Sequence, residues 1–157
     1  MPKLSPYEKI FRSVQVVPKP ISDVFEFFCN EKNLETLTPP WLHFKVLSKT
    51  TPTIETGTRI DYRLRIRGVP VQWQSEILEW EPGKKFVDHQ TKGPYAKWHH
   101  THLFYERGQK TEMIDEVIYK MPFGVMGLLF AGPFVARDIQ KIFSYRRNKV
   151  EEIFGRE

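Results

Sequence analysis

Apolar and polar residues alternate along most of this chain, and the alternation gives way to a helical period only near the C-terminus. Tyr7 to Val17 is rich in Val, Ile and Phe. It is followed by Pro18 and Pro20, which lack the amide hydrogen that a sheet ladder requires. The pattern therefore predicts a first strand that ends at Val17.

Two short helices are predicted after this strand. Ser22 suits an N-cap position and Asp23 suits the positive end of a helix dipole, and the apolar residues that follow supply a face to bury. A second short helix is predicted over Leu34–Thr38, because Pro39 and Pro40 stop it.

Six further strands are predicted from apolar segments separated by turn residues. Proline, glycine or both lie between neighbouring segments, so the connections are short and the strands should pair as antiparallel neighbours. The segments are Phe44–Lys49, Arg59–Arg67, Val71–Glu81, Lys85–Gln90, Lys97–Glu106 and Lys110–Lys120.

The last third of the chain has apolar residues at steps of three and four, which is the pattern of one helix face. The stripe consists of Val135, Ile139, Ile142, Val150 and Ile153, and Arg146 lies on it. Two starts remain open. The helix begins at Gly132-Pro133, with proline in the first turn, or at about Met126 with a kink at Pro133.

This order of elements predicts a single α+β domain over residues 1–157. A seven-stranded antiparallel sheet buries its apolar face only when another element covers it, and the C-terminal helix is the one predicted element of sufficient length. A long helix packed on a curved sheet can trap a cavity between the two, lined by the inward-facing side chains of the strands.

Strand parity and hairpin geometry predict the inward-facing residues. Ile60, Tyr62 and Leu64 share the inward face of their strand. A two-residue turn at Pro82-Gly83 predicts these opposed pairs: Glu81 with Lys84, Glu79 with Phe86, Ile77 with Asp88, and Ser75 with Gln90. A two-residue loop at Gly108-Gln109 predicts these: Phe104 with Met113, His102 with Asp115, His100 with Val117, and Trp98 with Tyr119. A one-residue change in the second loop would separate His102 from Asp115.

The inward face carries more polar groups than a dry core tolerates. Two acids, two histidines, a glutamine and two tyrosine hydroxyls fall on it. Each polar group buried without a partner costs about 1–3 kcal/mol. We therefore expect a hydrated or ligand-filled pocket. The alternative is a buried network in which these groups satisfy one another, as His102 and Asp115 would.

Composition and charge limit the compartment and the partners. The chain has 157 residues and a net charge of +5, and its globular composition excludes a disordered chain. Cys29 is the single cysteine, so we expect no internal disulfide and a cytoplasmic protein. The N-terminal MPKLSPYEKIF predicts no signal peptide, and no apolar run approaches the roughly 20 residues that span a bilayer. The arginines on the outer face of Arg59–Arg67 suit solvation, so no nucleic-acid partner is predicted.

Short motifs spread over nearly the whole chain carry a family resemblance. They include Leu37-Thr38-Pro39-Pro40-Trp41, Trp80-Glu81-Pro82, Phe86-Val87-Asp88, Gly93-Pro94-Tyr95, His100-Thr101-His102, Asp115-Glu116-Val117 and Tyr145-Arg146-Arg147. In these the chain resembles a bacterial branch of the SRPBCC superfamily, which includes START domains, the major birch pollen allergen and polyketide cyclase/dehydrase-like proteins. The resemblance implies the helix-grip fold, a seven-stranded antiparallel sheet wrapped around a long C-terminal helix with a deep hydrophobic cavity. Members bind lipids, sterols, plant hormones or polyketides and a minority are enzymes, so the resemblance implies ligand binding without choosing a ligand.

The first functional hypothesis is binding or transport of a small hydrophobic ligand, such as a lipid, a polyketide or an isoprenoid-like molecule, in an internal cavity. Apolar walls with a few polar groups are typical of such sites. The predicted wall residues are Tyr62, Trp73, Trp98, Phe104 and Tyr119. The predicted orienting residues are Asp88, Gln90, His100, His102 and Asp115, and Arg146 should reach an acid or a carbonyl at one end of the pocket.

The alternative hypothesis is a cofactor-independent cyclase, dehydratase or isomerase that acts on a ketone-rich substrate. His102 held by Asp115 would act as the catalytic base, and Tyr62 or Tyr119 would donate a hydrogen bond to an enolate. His100-x-His102 with an aspartate also has the spacing of metal ligands, but the spacing is unspecific. Neither a metal nor another cofactor is predicted.

The uncharged segment Met121–Phe134, MPFGVMGLLFAGPF, is too short to span a membrane. It is predicted to gate the pocket, with peripheral membrane contact as the alternative. The sequence leaves the oligomeric state open.

Overall fold

Seven antiparallel strands form one sheet in the computed structural model, which describes residues 4–157. Met1–Lys3, the start of the N-terminal segment considered above, lie outside the described residues. The elements in chain order are β1 (Glu8–Val17), α1 (Ile21–Phe28), α2 (Asn33–Leu37), a 3₁₀ turn (Pro40–Leu42), β2 (Lys45–Lys49), β3 (Arg59–Ile66), β4 (Val69–Glu81), β5 (Lys85–Lys92), β6 (Lys97–Arg107), β7 (Lys110–Lys120) and α3 (Gly124–Phe154). The sheet order β1-β7-β6-β5-β4-β3-β2 is a meander from β2 to β7, with β1 added beside β7. The predicted α+β helix-grip architecture is confirmed.

Helix α1 begins two residues earlier than an N-cap at Ser22 predicts, so that N-cap prediction is wrong. Pro20 occupies the cap position with φ −58°, and its carbonyl accepts the backbone N–H of Val24 at 3.2 Å. The Ser22 hydroxyl instead donates to the carboxylate of Asp23 at 3.1 Å. The reason is that the fixed φ of proline directs the chain into the helix without a side-chain cap.

The β6–β7 hairpin has the predicted register along its whole length. All four predicted pairs are opposed, including His102 with Asp115 and Trp98 with Tyr119. The two-residue loop at Gly108-Gln109 is therefore confirmed, and it brings the polar residues of β6 and β7 onto one face.

The β4–β5 hairpin is correct near the cavity and wrong near its turn. Ser75 with Gln90 and Ile77 with Asp88 are confirmed pairs. Near the turn, Glu79 pairs with Val87 instead of Phe86, and Glu81 pairs with Lys85 instead of Lys84. The turn holds one residue more than predicted, and a bulge between Ile77 and Glu79 restores the register.

Helix α3 follows the longer of the two predicted starts, and Pro133 lies inside it. Its buried residues Ile139, Phe143 and Val150 belong to the second half. The segment Met121–Phe134 leads into the helix and forms its first turns. In residues 4–157 no helix is both long enough and apolar enough to cross a membrane.

Two buried apolar clusters lie on the covered face of the sheet. The first cluster joins α1 to the end of α3 and consists of Val17, Val24, Phe25, Phe28, Leu37, Phe86, Phe104, Met113 and Val150. The second cluster joins β7 to the middle of α3 and consists of Val117, Tyr119, Ile139 and Phe143. Two stacked histidines link them: His102 lies 3.9 Å from Phe86, and His100 lies 5.6 Å from Phe143, between ring centroids.

Candidate functional site

A cavity of about 690 Å³ lies between the inner face of the sheet and α3. Its volume falls within the range of roughly 300–1,000 Å³ that is typical of small-molecule pockets. The predicted site residues that line it are Tyr62, Trp73, Asp88, Trp98, His100, His102 and Arg146. They come from four strands and α3, so residues distant in the chain share one wall.

Four predicted site residues do not line this cavity. Phe104 packs in the first apolar cluster under α1, and Tyr119 packs in the second cluster. Gln90 braces the next turn, because its Nε2 donates to the carbonyl of Tyr95 at 2.7 Å and its Oε1 accepts the Tyr95 backbone N–H at 3.2 Å. Asp115 is buried and bonds to His100. Strand parity predicts the face of a side chain, but it does not predict which part of that face the helices cover.

The sequence analysis missed wall residues that lie outside the strands. Trp41, Phe44 and Ile54 close one side of the cavity, and Ile142 and Asp138 contribute from α3. Ile142 lies on the predicted helical stripe, which was a sufficient signal for it. Trp41 ends one of the quoted family motifs, whereas nothing in the local pattern marks Ile54.

Two histidines and two aspartates form a buried cluster at the cavity wall. His102 Nε2 lies 2.8 Å from Asp88 Oδ2, and His100 Nε2 lies 2.9 Å from Asp115 Oδ1. His102 also lies beside Asp115, as predicted: its Nδ1 is 3.1 Å from Asp115 Oδ1, within ion-pair distance, although this contact lacks the alignment of a hydrogen bond. The aligned hydrogen bond of His102 is the one to Asp88, and the two imidazoles stack at 3.7 Å.

The surrounding charges separate the protonation states of the two histidines. Burial would lower the pKa of His102, but the carboxylates of Asp115 and Asp88 outweigh burial and raise that pKa above its ordinary value. Burial and the neighbouring His102 lower the pKa of His100. Of the two histidines, His102 is therefore the one that binds a second proton more readily.

Both aspartates stay ionised, although Asp115 is buried and Asp88 is only partly exposed. Burial would raise the pKa of Asp115, but the Arg146 guanidinium and the two histidines hold that pKa well below its usual value. The pKa of Asp88 is also lowered, because the hydrogen bond from His102 and the nearby positive charges outweigh burial. Asp88 and the two histidines therefore place a carboxylate and two imidazoles on the cavity wall, with the Asp115 carboxylate behind them.

Arg146 projects from the apolar stripe of α3. Its guanidinium carbon lies 5.1 Å from the ring centroid of Phe28 and 5.9 Å from that of Phe143, which places the cation against aromatic faces. Its Nη2 is 3.8 Å from Asp115 Oδ1, too long for a hydrogen bond. Arg146 therefore lies near an acid, as predicted, but it interacts with Asp115 through charge alone and forms no hydrogen bond with it.

Asp88, His100 and His102 are spaced closely enough to hold a metal ion, since one ligand atom from each lies within 4.8 Å of the others. Both imidazoles already bond to a carboxylate through Nε2. The Nε2 atoms are therefore engaged with aspartates, and in both rings Nδ1 is the nitrogen that remains for another ligand.

A salt bridge joins the sheet to α3 at the mouth of the cavity. Arg67 and Gly68 form the β3–β4 turn with φ of 51° and 82°, the positive pair that a type I′ turn requires. The Nε and Nη2 of Arg67 donate to Asp138 at 3.1 and 3.0 Å, and both residues line the cavity. The Arg67 guanidinium also lies 5.2 Å from the ring of Phe134.

The sequence matches a known protein family over most of its length. The family described as polyketide cyclase / dehydrase and lipid transport matches residues 17–143. Comparison with curated proteins returned no match.

Solved structures share the fold at low sequence identity. The protein TTHA0849 from Thermus thermophilus has 23% identity and a TM-score of 0.68, covering 92% of this chain and 95% of that one. The Zhui aromatase/cyclase from Streptomyces sp. R1128 has 15% identity and a TM-score of 0.68, covering 91% of each chain. A START superfamily protein from Mycobacterium smegmatis has 11% identity and a TM-score of 0.67, covering 92% of this chain and 98% of that one. At these identities the likeness concerns the fold alone.

Proposed function

Because the chain belongs to the polyketide cyclase/dehydrase and lipid transport family, we propose that it binds or transports a small, largely apolar ligand in the cavity between the sheet and α3. The resemblance to the SRPBCC superfamily is confirmed by this family match. The observation that carries the proposal is the cavity itself, about 690 Å³ with mainly apolar walls and a few charged side chains.

The shape of the site favours a ligand that is apolar along most of its length. Trp73 packs edge to face on Trp98 at 5.4 Å and against Tyr95 at 5.7 Å, which gives one end a rigid aromatic wall. His102 and Arg146 supply polar groups elsewhere on the cavity wall. A lipid, a polyketide or an isoprenoid-like molecule has this division between an apolar body and a few polar atoms. Native mass spectrometry with dodecan-1-ol tests the proposal: one bound molecule per chain is expected, and no saturable binding overturns it.

A cyclase or dehydratase activity is the second candidate, and His102, which lines the cavity and bonds to Asp88, favours it. His102 would exchange a proton with a bound ketone while Asp88, the residue it bonds to, stabilises its charge. Tyr62 lines the same cavity and burial raises its pKa, so it stays a neutral hydrogen-bond donor for a carbonyl oxygen. Tyr119 does not line the cavity, so it cannot donate the hydrogen bond to the enolate in this mechanism.

Replacing His102 with Gln is expected to lower turnover by roughly 10²–10⁴-fold, the usual contribution of a proton-transfer group. The probe is heptane-2,4,6-trione, whose cyclodehydration is followed by absorbance. Binding of dodecan-1-ol should remain, because the apolar walls are unchanged. Absence of turnover by the wild type removes the enzymatic candidate, as does a His102→Gln variant with undiminished turnover.

We further propose that the start of α3 contacts a membrane surface. Phe123, Leu129 and Phe130 are 86%, 67% and 70% exposed, which is unusual for large apolar side chains grouped in one segment. This exposure favours membrane contact over gating, since a closed gate would bury these residues against the mouth. Phe134 contacts Arg67 at the mouth, so the exposed surface is continuous with the route into the cavity.

The charges around this segment complement an anionic lipid surface. No acidic residue occurs between Met121 and Arg137. Arg137 and Lys141 are exposed on the following turns of α3, and Arg67 borders the mouth. Apolar side chains flanked by cations are typical of helices that lie in the membrane interface.

Flotation with vesicles that contain phosphatidylglycerol tests this contact. The double variant Leu129→Asp/Phe130→Asp is expected to lose at least about tenfold in binding, because it places two charges in the apolar interface. Leu47→Asp/Tyr105→Asp, which places two carboxylates at exposed positions of β2 and β6, is the charge-matched control and should float like the wild type. Wild-type protein that does not float contradicts the proposal. The proposal is also contradicted if the wild type sediments as a dimer and the double variant as a monomer, since a second copy of the chain would then cover this surface.

The cytoplasm is the compartment that fits this function. Burial raises the pKa of the Cys29 thiol to about 12, so the thiol stays protonated and unreactive. A domain that relies on no disulfide suits a reducing compartment.

A further inference from the structure

The acids around the cavity all have basic partners. Glu31 lies 2.9 Å from Lys49, Asp138 is held by Arg67, and Asp88 and Asp115 bond to the two histidines. Two of the cations around the cavity lack such a partner. Arg146 has no hydrogen-bond acceptor for its Nε or Nη2, and Lys141 on the cavity wall has no ion-pair partner among residues 4–157.

The two unpaired nitrogens of Arg146 form one edge of its guanidinium. Arg67 uses the same two atoms, Nε and Nη2, to hold the carboxylate of Asp138 with two hydrogen bonds of 3.1 and 3.0 Å. Arg146 therefore carries the same two-nitrogen edge that Arg67 uses to bind Asp138, but no carboxylate bonds to it. Both nitrogens are fully buried, so neither water nor a ligand reaches them until the guanidinium turns toward the cavity.

Packing keeps this edge from finding a protein acceptor. The rings of Phe28 and Phe143 lie against the guanidinium, and Asp115, the nearest acid, is 3.8 Å away and already bonded to His100. Buried N–H groups without an acceptor are costly, and a bidentate arginine–carboxylate pair is among the strongest hydrogen-bonded contacts in proteins. A ligand that brings two coplanar oxygens removes the cost and forms the pair.

We propose that the ligand of this cavity is an acidic amphiphile whose carboxylate is bound by Nε and Nη2 of Arg146, with its apolar chain along the aromatic walls. This inference rests on the proposed ligand binding and narrows it to a chemical class, fatty acids and other apolar carboxylic acids.

Two probes of equal chain length test the inference: dodecanoate and dodecan-1-ol, titrated by calorimetry into the full chain. The wild type is expected to bind dodecanoate at least about tenfold more tightly than the alcohol, although the alcohol is the more hydrophobic of the two. Arg146→Met should remove this preference and leave the affinity for the alcohol within about threefold. Arg65→Met, which removes an exposed cation from β3 outside the cavity, is the control and should keep the preference.

The outcomes separate this inference from the proposed function. If both probes bind equally to the wild type, or Arg146→Met weakens both alike, the cavity binds ligands but Arg146 does not recognise a carboxylate. If neither probe binds, ligand binding itself fails. The wild-type comparison decides the question even if Arg146→Met does not fold. Arg146→Lys, which keeps the charge but loses the two-nitrogen edge, should recover only part of the preference.

Discussion

Replacing Asp115 with Ala is expected to lower the free energy of unfolding by roughly 3–5 kcal/mol, the usual effect of removing one partner from a buried charged network. Asp115 Oδ1 is the shared neighbour of three groups, 2.9 Å from His100, 3.1 Å from His102 and 3.8 Å from Arg146. Without it, the buried guanidinium loses its nearest countercharge and His100 loses its hydrogen bond.

Urea denaturation followed by tryptophan fluorescence measures this loss. Glu116→Ala, the next residue on β7, is the matched control and should change stability by less than about 0.5 kcal/mol. Asp115→Asn keeps an acceptor oxygen and should cost less than Asp115→Ala. An Asp115→Ala variant as stable as the control would show that the cluster contributes nothing to folding.

The same substitution should change the pH dependence of stability. The folded pKa of Asp115 lies below its ordinary value of 3.8, so its contribution is present above pH 3.8 and is lost as pH falls through the folded pKa. The folded pKa of His102 lies above 6.5, so its contribution is complete below pH 6.5 and is lost as pH rises through the folded pKa. Asp115→Ala should reduce both changes, because it removes the first group and a carboxylate that supports the second.

Filling the cavity with the double variant Leu64→Phe/Ile142→Trp is expected to lower ligand affinity by at least about tenfold. Leu64 on β3 and Ile142 on α3 both line the cavity, so larger side chains there occupy the space of a ligand. The fold should tolerate the change, because the added atoms enter empty volume and displace no packed side chains.

The matched control places the same residue types on the outer faces of the same elements. Arg63→Phe/Gln140→Trp adds equivalent aromatic surface at exposed positions of β3 and α3 and should bind dodecan-1-ol like the wild type. Thermal unfolding of both double variants separates loss of binding from loss of structure. Undiminished binding by the folded cavity-filled variant would place the ligand elsewhere on the protein.

Sequence reasoning predicted the fold and part of the site for identifiable reasons. The loop at Gly108-Gln109 determines the register that opposes His102 and Asp115, and loop length is readable from the sequence. The bulge at Leu78 is not readable in this way, because it compensates a turn whose extra residue is itself visible only in the structure. The partner of His102 depends on how two imidazoles stack, which the alternation of residues along a strand does not encode.

Trp98 and Phe104 show the second limit. Both lie on the inward face of β6, yet Trp98 lines the cavity and Phe104 is covered by α1. Whether an inward-facing side chain lines the cavity or is covered depends on where α1 packs along the sheet, and this packing is not encoded in the local pattern of the strand. Arg146 is the opposite case, since a single arginine on an apolar helical stripe marked it in the sequence alone.

Native mass spectrometry of the wild type and of Leu64→Phe/Ile142→Trp, each titrated with dodecan-1-ol and dodecanoate, tests the central claim that the cavity is a ligand-binding site. The account predicts one bound molecule per wild-type chain, with dodecanoate preferred, and little or no adduct on the cavity-filled variant. A wild type that binds neither probe would contradict the claim, and so would equal adducts on both proteins.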